Sequence, residues 1–128
     1  MPLIIIHSLH PNETDATAIP RMITDVRDAG ARALGCPVAN IWVMLHALPP
    51  GHYLQGDGAP ATVPEVATHP PCVIVRAQVG RTPKERDAFV AAVAAAVGRG
   101  LAVPAENVWI YYDEMRSEDV WFNGRWSA

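Results

Sequence analysis

The chain has 128 residues, half of them hydrophobic and 18% charged, with a formal net charge of −3. That length suits one domain spanning 1–128, and the apolar share is high enough to build a core, which excludes disorder except at the ends. The ten Lys and Arg are scattered without a basic run that could track a phosphate backbone, so nucleic acid is not an expected partner.

Leu3 to Ile6 is too short to span a bilayer and follows no charged leader, so a cytoplasmic protein without a membrane partner is expected. Ile4 to Leu9 reads as a buried strand. Ile19, Met22, Ile23, Val26 and Ala33 then recur at helical spacing, although Pro20 leaves the start of that helix open. Gly35 and Pro37 stop it, and Asn40 to Leu45 reads as a second strand. The same order follows from residue 70: strand Val73 to Gln78, a helix with Phe89, Val90, Val93 and Val97 on one face, a stop at Gly100 and Pro104, and a strand from Asn107 to Tyr112. Thr82-Pro83-Lys84-Glu85 marks the second helix start, with Thr82 as cap and Glu85 able to bond back to it.

The two halves, about 1–62 and 70–128, are a repeat. Leu34, Pro37, Asn40 and Trp42 return 67 positions later as Leu101, Pro104, Asn107 and Trp109, and Pro2-Leu3-Ile4-Ile5-Ile6 aligns with Pro71-Cys72-Val73-Ile74-Val75. Each half is β-α-β, giving an α/β fold (α+β in layer terms) of two tandem units: a four-stranded sheet with both helices on one face. Covering the other face requires further subunits, so a homo-oligomer is expected. Gly-containing tails, Pro49 to Gly58 and Arg116 to Trp126, follow the two units as short hairpin candidates, and Asn123-Gly124 is a strong hairpin turn.

Met1-Pro2-Leu3-Ile4-Ile5-Ile6, Gly80-Arg81-Thr82 and Pro50-Gly51-His52-Tyr53, in register with a β-α-β repeat, resemble the tautomerase superfamily. The doubled length is similar to its fused members, including cis-3-chloroacrylic acid dehalogenase and malonate semialdehyde decarboxylase. The resemblance implies a trimer, no cofactor, and a Pro2 amine that acts as general base once Met1 is removed. Desolvation by apolar neighbours would favour the neutral amine. The resemblance also implies that Arg81 holds a substrate carboxylate, because in the fused members the second-half arginine lies next to the first-half proline, and Tyr111 would polarise the substrate oxygen. Trp42, Tyr53 and Leu9 are the expected pocket walls. Arg76, in mid-strand, either reaches the site or pairs with an acid such as Asp113 or Glu114.

Departures from the family pattern narrow the chemistry. Trp42 stands where 4-oxalocrotonate tautomerase has a second arginine, which makes an aromatic or monocarboxylate substrate more plausible than a dicarboxylate. The dehalogenase carboxylate falls on Phe122 and the first of its arginines on Gln78, while Asn40 replaces the decarboxylase aspartate. The expected activity is therefore enol–keto proton transfer on a small 2-keto acid or its enol. The alternatives are a decarboxylase, hydratase or dehalogenase of a small unsaturated or 3-oxo acid, or a non-catalytic oligomer. Cys36 and Cys72 have no metal or disulfide spacing, and His7 and His10, an odd number of positions apart on a strand, point to opposite faces, so no metal site is expected.

Overall fold

The computed structural model describes residues 2–9, 16–56, 58–60 and 69–127. Met1 and His10 lie outside them. The first half folds as β1 (Leu3–Leu9), α1 (Ala18–Leu34) and β2 (Trp42–Leu48), the second as β3 (Cys72–Gln78), α2 (Pro83–Leu101) and β4 (Trp109–Met115). The sheet order is β2-β1-β3-β4, parallel within each half and antiparallel where β1 meets β3 at the centre.

Alternation along the strands divides the sheet into two faces. Ile4, Ile6, Val73 and Val75 are fully buried together with Val26 of α1 and Phe89, Val93 and Val97 of α2. Burying each such side chain stabilises the fold by about 1.5 to 3 kcal/mol, so this layer dominates folding. The opposite face carries rows set by the pairing register: Trp42, Leu3, Arg76 and Asp113; then Met44, Ile5, Ile74 and Tyr111; then His46, His7, Cys72 and Trp109. Trp42, Met44, Trp109 and Tyr111 are exposed there, as expected for a sheet face that neither helix covers.

The repeat extends to individual hydrogen bonds. The Asn40 and Asn107 N–H groups donate to the Pro37 and Pro104 carbonyls at 3.0 Å, closing short 3-10 turns at Val38–Asn40 and Ala105–Asn107. The asparagines therefore belong to turns, and the following strands begin two residues later and run further than the hydrophobic pattern indicates. Trp42 N–H then donates to the Pro2 carbonyl and Trp109 N–H to that of Pro71, at 3.1 and 3.0 Å.

The helix ends depart from the repeat. Pro20 occupies the third helical position of α1, within the first turn, where its absent N–H has no intrahelical acceptor to miss. In α2 the capping box forms as expected: Glu85 N–H donates to Thr82 Oγ1 at 3.2 Å and Thr82 N–H to Glu85 Oε1 at 3.1 Å. Gly35 ends α1 in a left-handed conformation, but Gly100 does not stop α2, which continues to Leu101 and is capped by Ala102 at φ 58°. Gly100 serves packing instead, because a Cβ there would lie 2.4 Å from Cγ of Met22 on α1.

Beyond β4 the chain makes a 3-10 turn, Ser117–Asp119, and a two-residue hairpin of β5 (Trp121–Phe122) and β6 (Arg125–Trp126). Asn123 and Gly124 form its turn with φ of 54° and 74°, the paired positive values that a type I′ hairpin needs. The corresponding segment Pro49 to Gly58 contains no strand among its described residues.

Candidate active site

Pro2 precedes the first residue of β1 and is fully buried, yet it borders a cavity of about 260 Å³ on the open side of the sheet. Leu3, Trp42, Gln78 and Met115 form the sheet part of its wall, and Val120, Trp121 and Phe122 form the rest. The second half thus folds its terminal hairpin toward Pro2 of the first half. Arg116 fixes the approach of that hairpin, donating from Nε and Nη2 to the two carboxylate oxygens of Asp119 at 2.9 and 3.2 Å. Ser127 N–H closes the base of the hairpin on the Val120 carbonyl at 2.8 Å. Trp42 and Phe122 meet edge to face with ring centroids 5.5 Å apart, a favourable aromatic geometry that ties sheet to hairpin.

Arg81 stands where β3 passes into α2. Gly80 makes the turn at φ 111°, a backbone region that residues with a Cβ rarely enter. The Arg81 side chain is half-buried and its Nη1 donates to the Gln78 carbonyl at 3.4 Å, one residue removed from the cavity wall. Arg76 lies on the row of Leu3 and Trp42, with its Nε 3.6 Å from Asp113 Oδ2. Of the two fates open to Arg76 in sequence, the pairing with Asp113 is formed.

The structure gathers Pro2 and Trp42 at the cavity, with Arg81 and Arg76 beside it, and leaves the other candidates elsewhere in the chain. Tyr111 stacks on Trp109, centroids 6.4 Å apart, and borders a groove between β4 and α2, where Arg86 lies over the Tyr112 ring. Leu9 ends β1, about 20 Å along the strand from Leu3. Tyr53 sits at the start of β3, where its hydroxyl donates to the Pro70 carbonyl at 2.7 Å and lies 3.3 Å from Cys72 Sγ. Burial and the Cys72 thiol push the Tyr53 hydroxyl up to about 12, so it stays protonated in any ordinary buffer.

Sequence reasoning leaves Val120 and Trp121 out of the site and meets Phe122 only as the position of the dehalogenase carboxylate. The Asn-Gly turn between two aromatic pairs signals a hairpin, but nothing local says which surface it covers. Among the described residues, no group of three or more His, Cys, Asp or Glu could hold a metal ion, and no helix is long and apolar enough to cross a membrane.

Neither a family model nor a curated protein matches the sequence. Solved structures do match along almost the whole chain. The Pt0534 protein, solved after inactivation by 2-oxo-3-pentynoate, is 24% identical with a TM-score of 0.80, covering 98% of this chain and 94% of its own. A fused 4-OT solved as an asymmetric trimer is 19% identical with a TM-score of 0.81, covering 98% and 95%. A member of the cis-3-chloroacrylic acid dehalogenase family is 20% identical with a TM-score of 0.72, covering 98% and 83%. The fold is that of the tautomerase superfamily. With 98% of this chain covered, the likeness to the fused 4-OT structures runs through both halves of the chain.

Proposed function

We propose that this protein is a cofactor-independent enol–keto tautomerase acting on a small 2-keto acid or its enol, assembled as a homotrimer and located in the cytoplasm. The observation that carries the reading is the cavity at Pro2, walled by Trp42, Trp121 and Phe122 and flanked by the Arg81 turn. With Met1 removed, Pro2 has a secondary amine held in a poorly solvated pocket, where the neutral form is favoured and a base is available near neutral pH. The amine takes the enol hydroxyl proton as the O–H electrons form the carbonyl. The former C=C pair then takes a proton at C3 from the prolyl ammonium, so the amine is regenerated and no oxidant or cofactor is consumed. Arg81 holds the carboxylate and fixes C3 against Pro2.

The trimer rests on the fused 4-OT trimers and on the exposed aromatic rows of the open sheet face, which a neighbouring subunit would cover. Tyr111, Tyr53 and Leu9, distant from Pro2 within one chain, would join its site only across such a boundary. Against hydrolytic dehalogenation stands Phe122, which lines the cavity and falls where the family resemblance puts the dehalogenase carboxylate.

The test is ketonisation of an aryl enolpyruvate by wild type and Pro2→Ala, with intact masses recorded. A chain lacking Met1 that loses roughly 100-fold or more of its turnover in the variant supports the reading, as expected for loss of a general base. Turnover unchanged in Pro2→Ala, or a native chain that retains Met1 and so has no basic amine, overturns it.

A further inference from the structure

The Arg76–Asp113 pair is out of keeping with its surroundings. It lies on the row of Trp42 and Leu3, next to the Pro2 cavity, on a face otherwise dominated by apolar side chains. Both partners are more than two-fifths exposed and 3.6 Å apart, a geometry that contributes little to stability. Its effect on charge is larger. Gln78, two positions along β3 on the same face, lines the cavity, so an extended Arg76 guanidinium would arrive beside it. Unpaired, Arg76 would give the pocket a second cation besides Arg81. Held by Asp113, it is neutralised beside the cavity, whose walls include Trp42, Trp121 and Phe122.

We infer that Asp113 is a specificity-determining residue: by holding Arg76 it withholds a second carboxylate anchor, so the site takes a monocarboxylate with an apolar, preferably aromatic, tail and rejects a dicarboxylate. The inference deepens the proposed Pro2–Arg81 site and rests on it for the position of the first carboxylate. Asp113 touches no substrate; it acts through Arg76.

Calorimetric binding of two inert probes, phenylacetate and adipate, tests this without requiring turnover. In Asp113→Asn, adipate is expected to bind about 10-fold more tightly or better, because a freed guanidinium can make a charge-assisted pair, while phenylacetate changes by less than about 3-fold. The double variant Arg76→Gln/Asp113→Asn returns adipate to its wild-type affinity. Equal tightening of both probes, no change in either, or adipate tightening that persists in the double variant overturns the inference. So does dissociation of the oligomer with the probe ratio unchanged, which would make Asp113 an interface charge. Should Asp113→Asn not fold, the double variant decides: phenylacetate within about 3-fold of wild type is expected, and a loss beyond about 10-fold would mean that Arg76 already binds the monocarboxylate. Failure of the tautomerase reading appears separately, in the Pro2→Ala turnover assay.

Discussion

Pro2 and Pro71 occupy equivalent positions at opposite ends of the antiparallel centre of the sheet, each buried and each accepting a hydrogen bond from the tryptophan that opens the adjacent parallel strand. Their surroundings differ. At Pro2 the hairpin residues Trp121 and Phe122 leave a cavity. At the Pro71 end Tyr53 folds inward, bonded to the Pro70 carbonyl and edge-on to His69 with centroids 5.1 Å apart. The duplication supplied one scaffold twice, and the chemistry it can carry is asymmetric: Pro71 is acylated inside the chain, while the Gly-Arg turn occurs only in the second half. In the proposed site the base comes from one half and the cation from the other.

The largest effect should separate the two prolines. Pro71→Ala, assayed per folded molecule, is expected to keep turnover within about 2-fold of wild type, against a loss of roughly 100-fold or more in Pro2→Ala. Comparable losses in both variants would show that the proline acts through the strand end and not through its amine.

A second contrast lies where the helices cross. Gly100 aligns with Ala33 in the repeat, and its missing Cβ leaves room for Met22 of α1. Gly100→Ala forces Met22 or the helix pair to shift and should cost about 1 to 3 kcal/mol, read as a lower urea midpoint. A change under about 0.5 kcal/mol would mean that the Met22 side chain moves aside freely.

Much of this fold was legible because it is local. Apolar β-branched runs and helical periods marked the six principal elements, Thr82 and Glu85 marked the start of α2, and Asn123-Gly124 marked the hairpin. Gly100 misled because a glycine near a helix end has two possible causes, a left-handed cap or a close approach, and only the position of Met22 on another helix distinguishes them. The same limit applies at the site. Trp42 and Phe122 were met only through the family resemblance, and Trp121 reaches Pro2 by tertiary folding that no spacing encodes.

The helix caps sharpen the comparison further. Gly35 and Ala102 are equivalent positions with nearly the same left-handed backbone, φ 64° and 58°. A left-handed conformation costs a residue with a Cβ roughly 1 to 2 kcal/mol, and glycine is free of that strain although it loses more entropy on folding. Ala102→Gly is therefore expected to stabilise the protein by about 1 kcal/mol and Gly35→Ala to destabilise it by a similar amount, both visible in urea denaturation. Opposite signs from the same backbone position would establish that the cap conformation, and not the local sequence, sets the energy.

The smallest effect concerns protons. His7 and His46 pair across β1 and β2 at the Pro71 end, ring centroids 4.9 Å apart, with Cys72 in register on the other side of His7. Burial, and then the charge of His46, hold the His7 imidazole below its ordinary value of 6.5. The unfolded chain therefore takes up this proton more readily than the folded one, so the His7 contribution to stability is present above about pH 6.5 and is lost as the pH falls toward the lowered folded value. Urea midpoints measured from about pH 8 down to about pH 5 should fall in that window, and His46→Gln should make the fall shallower by removing the second cause. A fall of the same steepness in His7→Gln would place the titrating group elsewhere and leave the two ends of the sheet alike in their response to acid.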